Sequence, residues 1–565
     1  MELSLRHKII FIFLILFGTL ILSLTMVRSG LLYPFGMGFW GPNGHDGIWH
    51  LALINQVLRG FPPPHPTFSG EFLVNYHYFF DLLLAILQKT TFIPASNLYF
   101  QILPVILSFS LGFLSFLVGY HWTKNFWTGF WLAFFNYFAG SFGYFVTLWR
   151  NREIGGESLF WSMQSISTLI NPPFALSLVV ILLGFYFLLT IKKFKIWQII
   201  FLSFLFGLLI NIKAYAGIVV LPALFIYSLL KLAKKEKAVM IIFFFASFIS
   251  LITFLSLNKN AGSLLVFEPF WFIHSMIESP DRLFIPRLAL SRYALIAGGG
   301  YKKLLLVETA GLLFFLLGNL GTRIIGLWSL IKKNIKGKFE DIEMFFLVGG
   351  GISLIMPLLF VQKGTSWNTI QFFYYFLFFA NFYAALTLSE IVKFRSKIRY
   401  FLLFLVITFT VPTTFSTLKQ YLGFSPPAAI PYGELEALKF LQEKPKGVVL
   451  TFPYSSSLKF EKRMTPPIPI YAYETTAYVS AFSQKQTFLE DEMNLEISGY
   501  KFEERRKEIE KFFSIDDKEW ARSFLSSKKI NYIYLLRGQK INLGENDLGI
   551  KLIFDNGTAR IYQVL

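Results

Sequence analysis

The chain has 565 residues, of which 54% are hydrophobic and 15% charged, and it contains no cysteine. This composition is typical of a membrane protein, and it excludes disulfides, thiolate metal sites and a cysteine nucleophile. The formal net charge of +19 lies almost wholly before residue 430, in short Lys and Arg clusters between apolar segments. Because such clusters follow the positive-inside rule, they do not indicate a nucleic-acid partner.

The apolar segments predict an all-α, multi-pass bundle in the plasma membrane, since about 20 apolar residues span the hydrocarbon core as a helix. Basic residues before the first segment predict a cytoplasmic N-terminus, and the later basic clusters then fall on the same side. An odd number of spans places the C-terminus outside. We predict eleven spans, at residues 9–27, 98–120, 126–148, 173–191, 197–212, 214–230, 238–257, 304–330, 342–361, 371–391 and 400–418.

The first outer loop, residues 28–97, carries most of the candidate chemistry. Asp46 precedes His50 by four residues, and His77 precedes Asp81 by four. Because residues four apart share a helix face, each pair is expected to form the polar edge of a helix lying on the membrane surface. With the adjacent His45, these residues are predicted to form the floor of an active site.

The composition changes after residue 420, where the membrane domain 1–420 is predicted to end. Residues 421–432 are proline-rich and are expected to be a linker, and residues 433–565 predict a small water-soluble α/β domain outside the membrane. Helices are expected at GELEALKFLQEK, EERRKEIEKFF and DDKEWARSFLSS, and strands at GVVLTFP and NYIYLL. Asn556-Gly557 predicts the tight turn of a final hairpin.

Three stretches give the chain a resemblance to the GT-C superfamily of polytopic glycosyltransferases, particularly the bacterial aminoarabinose transferases and protein O-mannosyltransferases. They are the outer loop with Asp46, GLLINIKAYAGIVVLPAL with Lys213, and LLFVQKGTSWNTIQFFYYF with Lys363. The resemblance implies transfer of a sugar from a polyprenyl-phosphate carrier to a lipid, glycan or protein acceptor on the outer side. It also implies that Asp46 is the base and that basic residues at outer span ends hold the phosphate.

Each acidic and histidine candidate has a competing structural role. Asp46 could instead cap the helix that begins beside it. His45, His50, His77 and Asp81 could orient Asp46 or contact the acceptor, and Asp46, His50 and His77 could bind a divalent metal such as Mn, Mg or Zn. Simple local hydrogen bonding is the alternative for the histidines, and no cofactor is firmly predicted.

The cationic candidates for the carrier's phosphate are Lys213, Lys363, Arg287 and Arg292. Their competing roles are snorkelling to the headgroup level for the lysines and a solvated, charged loop for the arginines. The rival function is a transporter or flippase of lipid-linked glycans. A transporter should carry ionisable residues at mid-membrane, whereas the predicted span centres are nearly free of them, and this favours the enzyme.

Overall fold

The computed structural model describes residues 4–258, 265–394, 396–461 and 464–565. The chain forms two compact units. The helical unit contains the described residues of Met1–Thr25, Pro104–Ser256 and Asn260–Gln420, and the mixed unit contains those of Met26–Leu103, Leu257–Lys259 and Tyr421–Leu565.

The helical unit consists almost entirely of helices, because its sequence is a series of apolar segments without strand alternation. One short antiparallel pair joins the strands Leu265–Phe267 and Phe360–Gln362. The 3₁₀ segments are Ser165–Ile170, Gly321–Ile325 and Ser366–Ile370. The α-helices are Leu5–Ser23, Leu103–Thr123, Phe126–Phe138, Gly143–Asn151, Pro172–Thr190, Ile196–Gly207, Leu209–Ile212, Ala214–Ala233, Ala238–Leu257, Trp271–Glu278, Pro286–Ala297, Tyr301–Leu320, Gly326–Lys336, Asp341–Leu359, Gln371–Val392, Ile398–Thr410 and Pro412–Leu422.

Nine helical segments in the described part of the chain are long and apolar enough to cross a membrane. Large apolar side chains are exposed along them, among them Phe13, Phe244 and Leu306. Such surfaces suit hydrocarbon rather than water, so the helical unit has the features of a polytopic membrane protein. The nine segments are Leu5–Ser23, Ala95–Thr123, Pro172–Thr190, Ala214–Ala233, Ala238–Leu257, Tyr301–Lys336, Asp341–Leu359, Ser366–Val392 and Ile398–Leu422.

Two of the eleven predicted spans, 126–148 and 197–212, have no counterpart among these nine segments, so the predicted number is not confirmed. The segment 197–212 is short and is interrupted at Leu208. The segment 126–148 breaks after Phe138, because Ala139 adopts an extended conformation. The backbone beyond this break lies very close to Gly321: a Cβ at Gly321 would be 2.1 Å from the Gly140 carbonyl oxygen. Hydropathy alone does not show such a break, since both halves are apolar.

The mixed unit contains two sheets. The strands Leu32–Tyr33, Gly36–Phe39, Ala428–Ile430 and Ile468–Pro469 form the first sheet in that order, with only the last pairing parallel. The second sheet has the order Ile550–Asp555, Ala559–Val564, Ile530–Leu536, Val448–Thr451 and Gln486–Thr487, with antiparallel pairing among the first three strands and parallel pairing thereafter.

The helices of the mixed unit are mostly short. An apolar core that includes Phe488, Phe512, Phe524 and Ile533 packs its C-terminal helices against the second sheet. The α-helices are Asp46–Ile54, Phe79–Thr91, Ala95–Asn97, Tyr432–Glu443, Leu458–Glu461, Ile470–Tyr473, Tyr478–Ser483, Glu492–Ile497, Glu503–Ser514, Lys518–Ser527 and Glu545–Leu548, with a 3₁₀ turn at Gly41–Gly44 and a π-helical turn at Leu98–Ile102.

The elements predicted after residue 433 are confirmed. Each predicted helix and strand has its counterpart, and the final hairpin turns at Asn556-Gly557, where Gly557 has a φ of 76°. Such a positive φ suits glycine, which has no Cβ to clash with the backbone.

The division of the chain differs from the predicted one, because the first outer loop packs with the C-terminal residues. The strand Gly36–Phe39 pairs with Ala428–Ile430, which lies inside the predicted linker 421–432. Gly36 permits this pairing, since a Cβ there would lie 2.2 Å from the carbonyl oxygen of Ile430. Contacts between segments almost 400 residues apart leave no signal in local periodicity.

Candidate functional site

Asp46 is placed by the helix Asp46–Ile54, of which it is the first residue. The capping position belongs to His45, so Asp46 is not the cap that the competing interpretation required. Its side chain is 52% exposed, whereas residues 47–54 are all buried. The prediction of a surface helix at this position is therefore wrong. The helix packs against Phe79–Thr91 and Tyr478–Ser483, and these cover the face that was expected to meet lipid.

His45 joins Asp46 to a second carboxylate from the C-terminal part of the chain. Its Nδ1 lies 2.8 Å from Asp46 Oδ1, and its Nε2 lies 3.3 Å from Asp491 Oδ1. Asp491 is buried and caps the helix Glu492–Ile497, accepting hydrogen bonds from both the backbone and the side-chain nitrogens of Asn494. These bonds fix the carboxylate that in turn orients His45.

The charges of this cluster favour a protonated His45. Burial lowers the pKa of the imidazole, but the charge of Asp491 and the hydrogen bonds to Asp46 and Asp491 outweigh burial and hold it well above its usual value. The imidazole of His45 is thus bonded to two carboxyl groups, one on each ring nitrogen. Glu474 interacts electrostatically with all three residues, and its pKa is raised, first by burial. We call these four residues, His45, Asp46, Glu474 and Asp491, the acid–imidazole cluster.

The predicted helical pairs Asp46/His50 and His77/Asp81 do not form. Instead His50 Nδ1 lies 2.7 Å from Asp81 Oδ1, and both side chains are buried. His77 stacks on Tyr76 with ring centroids 4.8 Å apart. The prediction for His77 and Asp81 was wrong because the second helix begins at Phe79, which leaves His77 outside it. His50 and Asp81 therefore form a buried contact between the helices Asp46–Ile54 and Phe79–Thr91.

The predicted metal ligands do not form one group. His50 is bonded to Asp81, and Asp46 is bonded to His45. Across the described ranges, no set of three or more His, Asp or Glu side chains has the arrangement of a metal site. The predicted grouping of Asp46, His50 and His77 around Mn, Mg or Zn does not fit this geometry.

Two of the four predicted phosphate contacts are engaged with other residues of the helical unit. Lys213 is buried, and its Nζ lies 3.4 Å from Asn171 Oδ1 and 5.5 Å from the ring centre of Tyr215. Arg292 Nε lies 2.8 Å from Glu308 Oε1, and one of its terminal nitrogens lies 3.6 Å from Glu278. The ion pairs of Arg292 give it a structural role that the sequence did not show.

The other two predicted contacts, Lys363 and Arg287, are exposed. Arg287 lines an open groove of about 680 Å³ together with Arg150, Trp149, Phe145 and other apolar side chains. Arg150 reaches across the groove and donates to the carbonyl oxygens of Leu283 and Phe284. The groove thus combines an apolar, aromatic floor with two guanidinium groups.

Arg323 is a buried cation that the sequence analysis did not identify. It lies in the 3₁₀ segment Gly321–Ile325, within a candidate span. Its side chain donates to Asn381, Gln164, Asn319, Ser165 and Ala139, all through neutral oxygens. No carboxylate forms an ion pair with Arg323 among the residues that the structure describes. These bonds satisfy the guanidinium at the point where the helix is interrupted.

The partners Asp491 and Glu474 were also missed. They lie more than 400 residues from Asp46 in sequence, and neither belongs to a motif with recognisable spacing. The available signal was the acidic run Glu490-Asp491-Glu492. Because acidic residues are frequent throughout the C-terminal domain, this run did not stand out.

No protein-family model matches the chain, and no curated protein matches it. Its structure is similar to that of the oligosaccharyltransferase of Archaeoglobus fulgidus tethered to an acceptor peptide, with 12% identity, a TM-score of 0.49, and coverage of 93% of this chain and 69% of that one. The same enzyme with Zn and sulfate gives 14% identity, a TM-score of 0.49, and coverage of 92% and 67%. Its complex with an inhibitory peptide and dolichol-phosphate gives 12% identity, a TM-score of 0.48, and coverage of 94% and 70%.

Similarities at this level assign no role to any residue of this chain. The function is therefore inferred from the side chains of this protein alone.

Proposed function

We propose that the chain is a membrane glycosyltransferase that moves a sugar from a polyprenyl-phosphate carrier to an acceptor hydroxyl on the outer face of the plasma membrane. The observation that carries the proposal is the half-exposed carboxylate of Asp46, held by His45, which is itself held by the buried Asp491. A carboxylate that is both accessible and fixed in orientation suits a general base. Buried or freely rotating carboxylates are less suited to that role.

The proposed reaction needs one proton acceptor and one stabilised leaving group. Asp46 takes the proton of the acceptor hydroxyl as its oxygen forms a bond to the anomeric carbon of the sugar. The bond from that carbon to the phosphate oxygen breaks, and its electron pair leaves with polyprenyl phosphate. His45 acts on Asp46 through Nδ1, and so it is a positioning residue in this scheme.

Cationic side chains of the helical unit are proposed to bind the carrier. Arg287 and Arg150 line a groove with an apolar floor, which suits an anionic headgroup attached to a hydrocarbon chain. Lys213 and Lys363 remain proposed phosphate contacts. Arg292 is the weakest candidate, because two carboxylates already neutralise it.

The outer orientation of Asp46 rests on the distribution of basic residues. Lys and Arg clusters recur between apolar segments, and the positive-inside rule assigns them to the cytoplasm. The loop with Asp46 follows the first span and is then outside. A periplasmic or extracellular reporter fused after Leu565 should be active if this topology is correct.

Arg323 is the observation that favours the rival function, a transporter or flippase of lipid-linked glycans. A buried cation within a span is typical of transport pathways. However, neutral oxygens occupy its donors at a helix interruption, which is the arrangement of a structural arginine.

One assay distinguishes the two functions. The full chain, reconstituted in vesicles, is given a polyprenyl-phosphate sugar, and the release of free polyprenyl phosphate is measured together with movement of the intact lipid between leaflets. A glycosyltransferase releases polyprenyl phosphate when an acceptor is present. Movement of the intact lipid without release would refute the proposal and support the transporter.

A further inference from the structure

A cavity of about 510 Å³ lies in the mixed unit next to the acid–imidazole cluster. Two residues of the cluster, Glu474 and Asp491, form part of its wall. Asp491 lies 3.3 Å from His45, whose other ring nitrogen is bonded to Asp46. One imidazole ring, that of His45, therefore separates the lining residue Asp491 from the proposed base Asp46. The size of the cavity suits a small polar molecule or one residue of a larger one.

Glu474 is the carboxylate of this cavity that remains available to a ligand. Asp491 is engaged by His45 and Asn494, and Glu492 by Arg506 at 2.6 Å. No described side chain forms an ion pair or hydrogen bond with the Glu474 carboxylate, although the charges of His45 and Lys459 partly offset its own. A partly buried carboxylate without a bonded cation favours a ligand that brings one.

Thr476 adds a second, independent feature. It lines the same cavity and is 5% exposed, and its hydroxyl has no hydrogen-bond partner among the described residues. Leaving a buried hydroxyl unpaired costs about 1–3 kcal/mol, so such a group is commonly completed by a ligand or water. The wall beside it is aromatic, with Tyr454 and Tyr471 among the lining residues.

Two cationic side chains, Arg537 and Lys540, also line the cavity. Arg537 and Lys540 are exposed, whereas Glu474 is partly buried and Asp491 is buried. Water and salt screen exposed charges more strongly than buried ones. The less exposed carboxylates of Glu474 and Asp491 therefore contribute more to the field inside the cavity than these two cations do.

We propose that this cavity is the acceptor site and that it selects an acceptor carrying a positively charged amine, which Glu474 binds. Thr476 completes its hydroxyl hydrogen bond with a polar group of the same molecule, and the tyrosine rings surround the amine, as aromatic side chains do for ligand cations. This inference rests on the proposed function, since it names the substrate class of the transfer.

The test compares two matched probes on the full chain in detergent, without any donor. Methyl glucosaminide carries a free amine, and methyl N-acetylglucosaminide is its uncharged counterpart. Binding is measured by calorimetry at pH 6.5, where the free amine is charged. We expect the amine probe to bind about tenfold more tightly, the gain typical of one charge-assisted hydrogen bond.

Three variants locate the effect. Glu474→Gln should remove the preference for the amine, whereas Glu496→Gln, an exposed acid outside the cavity lining, should retain it. Thr476→Val should weaken both probes to a similar extent. Equal binding of the two probes to the unaltered chain would overturn the proposal without relying on any variant, and so would a preference that survives in Glu474→Gln.

The outcomes separate this inference from the proposed function. Amine-selective binding without any release of polyprenyl phosphate in the transfer assay would support an amine-binding site and refute the glycosyltransferase. Transfer to acceptors irrespective of their charge would support the enzyme and refute the selectivity.

Discussion

The buried pair of His50 and Asp81 gives the sharpest test of how the site is built. Their atoms are 2.7 Å apart, and their side chains are 7% and 0% exposed. The second oxygen of Asp81 is buried without a hydrogen-bond partner among the described residues. His50→Leu would therefore leave a carboxylate with no counter-charge in an apolar, aromatic setting formed by Phe80 and Tyr99.

We expect His50→Leu to lower the free energy of unfolding of the mixed unit by about 3–5 kcal/mol, the cost of breaking a buried ion pair from one side. Asp81→Leu removes the hydrogen-bond partner of the His50 imidazole and should cost about 1–3 kcal/mol. The double variant His50→Leu/Asp81→Leu replaces both polar groups and should lie within about 1 kcal/mol of the original chain or above it.

The stability lost in His50→Leu should depend on pH. Burial raises the pKa of Asp81, and the charge of His50 opposes this shift. Without His50 the carboxyl pKa rises further, so the stability lost in the variant grows as the pH increases from the unfolded value towards neutrality. At acid pH, where Asp81 is protonated in both states, most of the loss should disappear.

The assay is pulse proteolysis of the full chain in detergent over a guanidinium series, with cleavage read within residues 26–103. A loss below about 1 kcal/mol for His50→Leu would refute the reasoning. A double variant as unstable as the sum of the two single variants would refute it as well, since the pair would then be uncoupled.

Three further predictions concern other parts of the chain. Asp491→Asn removes the charge that most raises the pKa of His45. The alkaline limb of the pH profile for polyprenyl-phosphate release should therefore move to lower pH in this variant. If the alkaline limbs of the variant and the original chain coincide, His45 does not position Asp46. Gly321→Ala places a Cβ 2.1 Å from a carbonyl oxygen at a φ of 53°. Its yield of folded protein should therefore fall well below that of the control Gly299→Ala, where φ is 69° and no atom lies within 4 Å of the new Cβ. Equal yields would contradict the close approach at Gly321. Arg287→Gln should raise the KM for the lipid donor without changing the unfolding temperature, because Arg287 is exposed. Arg292→Gln should lower the unfolding temperature, because Arg292 is paired with Glu308. The reverse pattern would make Arg292 the donor contact and Arg287 the structural residue.

The sequence predicted elements well where the signal is local. The C-terminal helices and strands follow from periodicity, and the final hairpin from Asn556-Gly557. Most of the predicted spans have a counterpart among the apolar helices, because hydropathy over about 20 residues is itself the physical cause of insertion. The interruption at Leu208 could not be predicted from hydropathy, since apolar side chains continue through it. The break after Ala139 coincides with Gly140, Ser141 and Gly143, a local turn signal that the hydropathy window averages out.

The site was predictable only in part. Asp46 and His45 were identified because acids and histidines are concentrated in one loop. Pairing by helical spacing failed for His50 and His77, because it assumes one continuous helix and takes no account of contacts between helices. Asp491 and Glu474 join the cluster through the packing of the first loop with the C-terminal residues, which depends on tertiary contacts and not on local pattern.

The most direct test of the account is the rate at which polyprenyl phosphate is released when Asp46 alone is changed. The full chain is assayed with saturating polyprenyl-phosphate sugar and acceptor, and Asp46→Asn is compared with Asp516→Asn, an exposed acid elsewhere in the mixed unit. Loss of a general base typically costs about 10²–10⁴-fold, and we predict a fall in that range for Asp46→Asn with unchanged folding. Release at the original rate in Asp46→Asn, or an equal loss in Asp516→Asn, would contradict the assignment of Asp46 as the base.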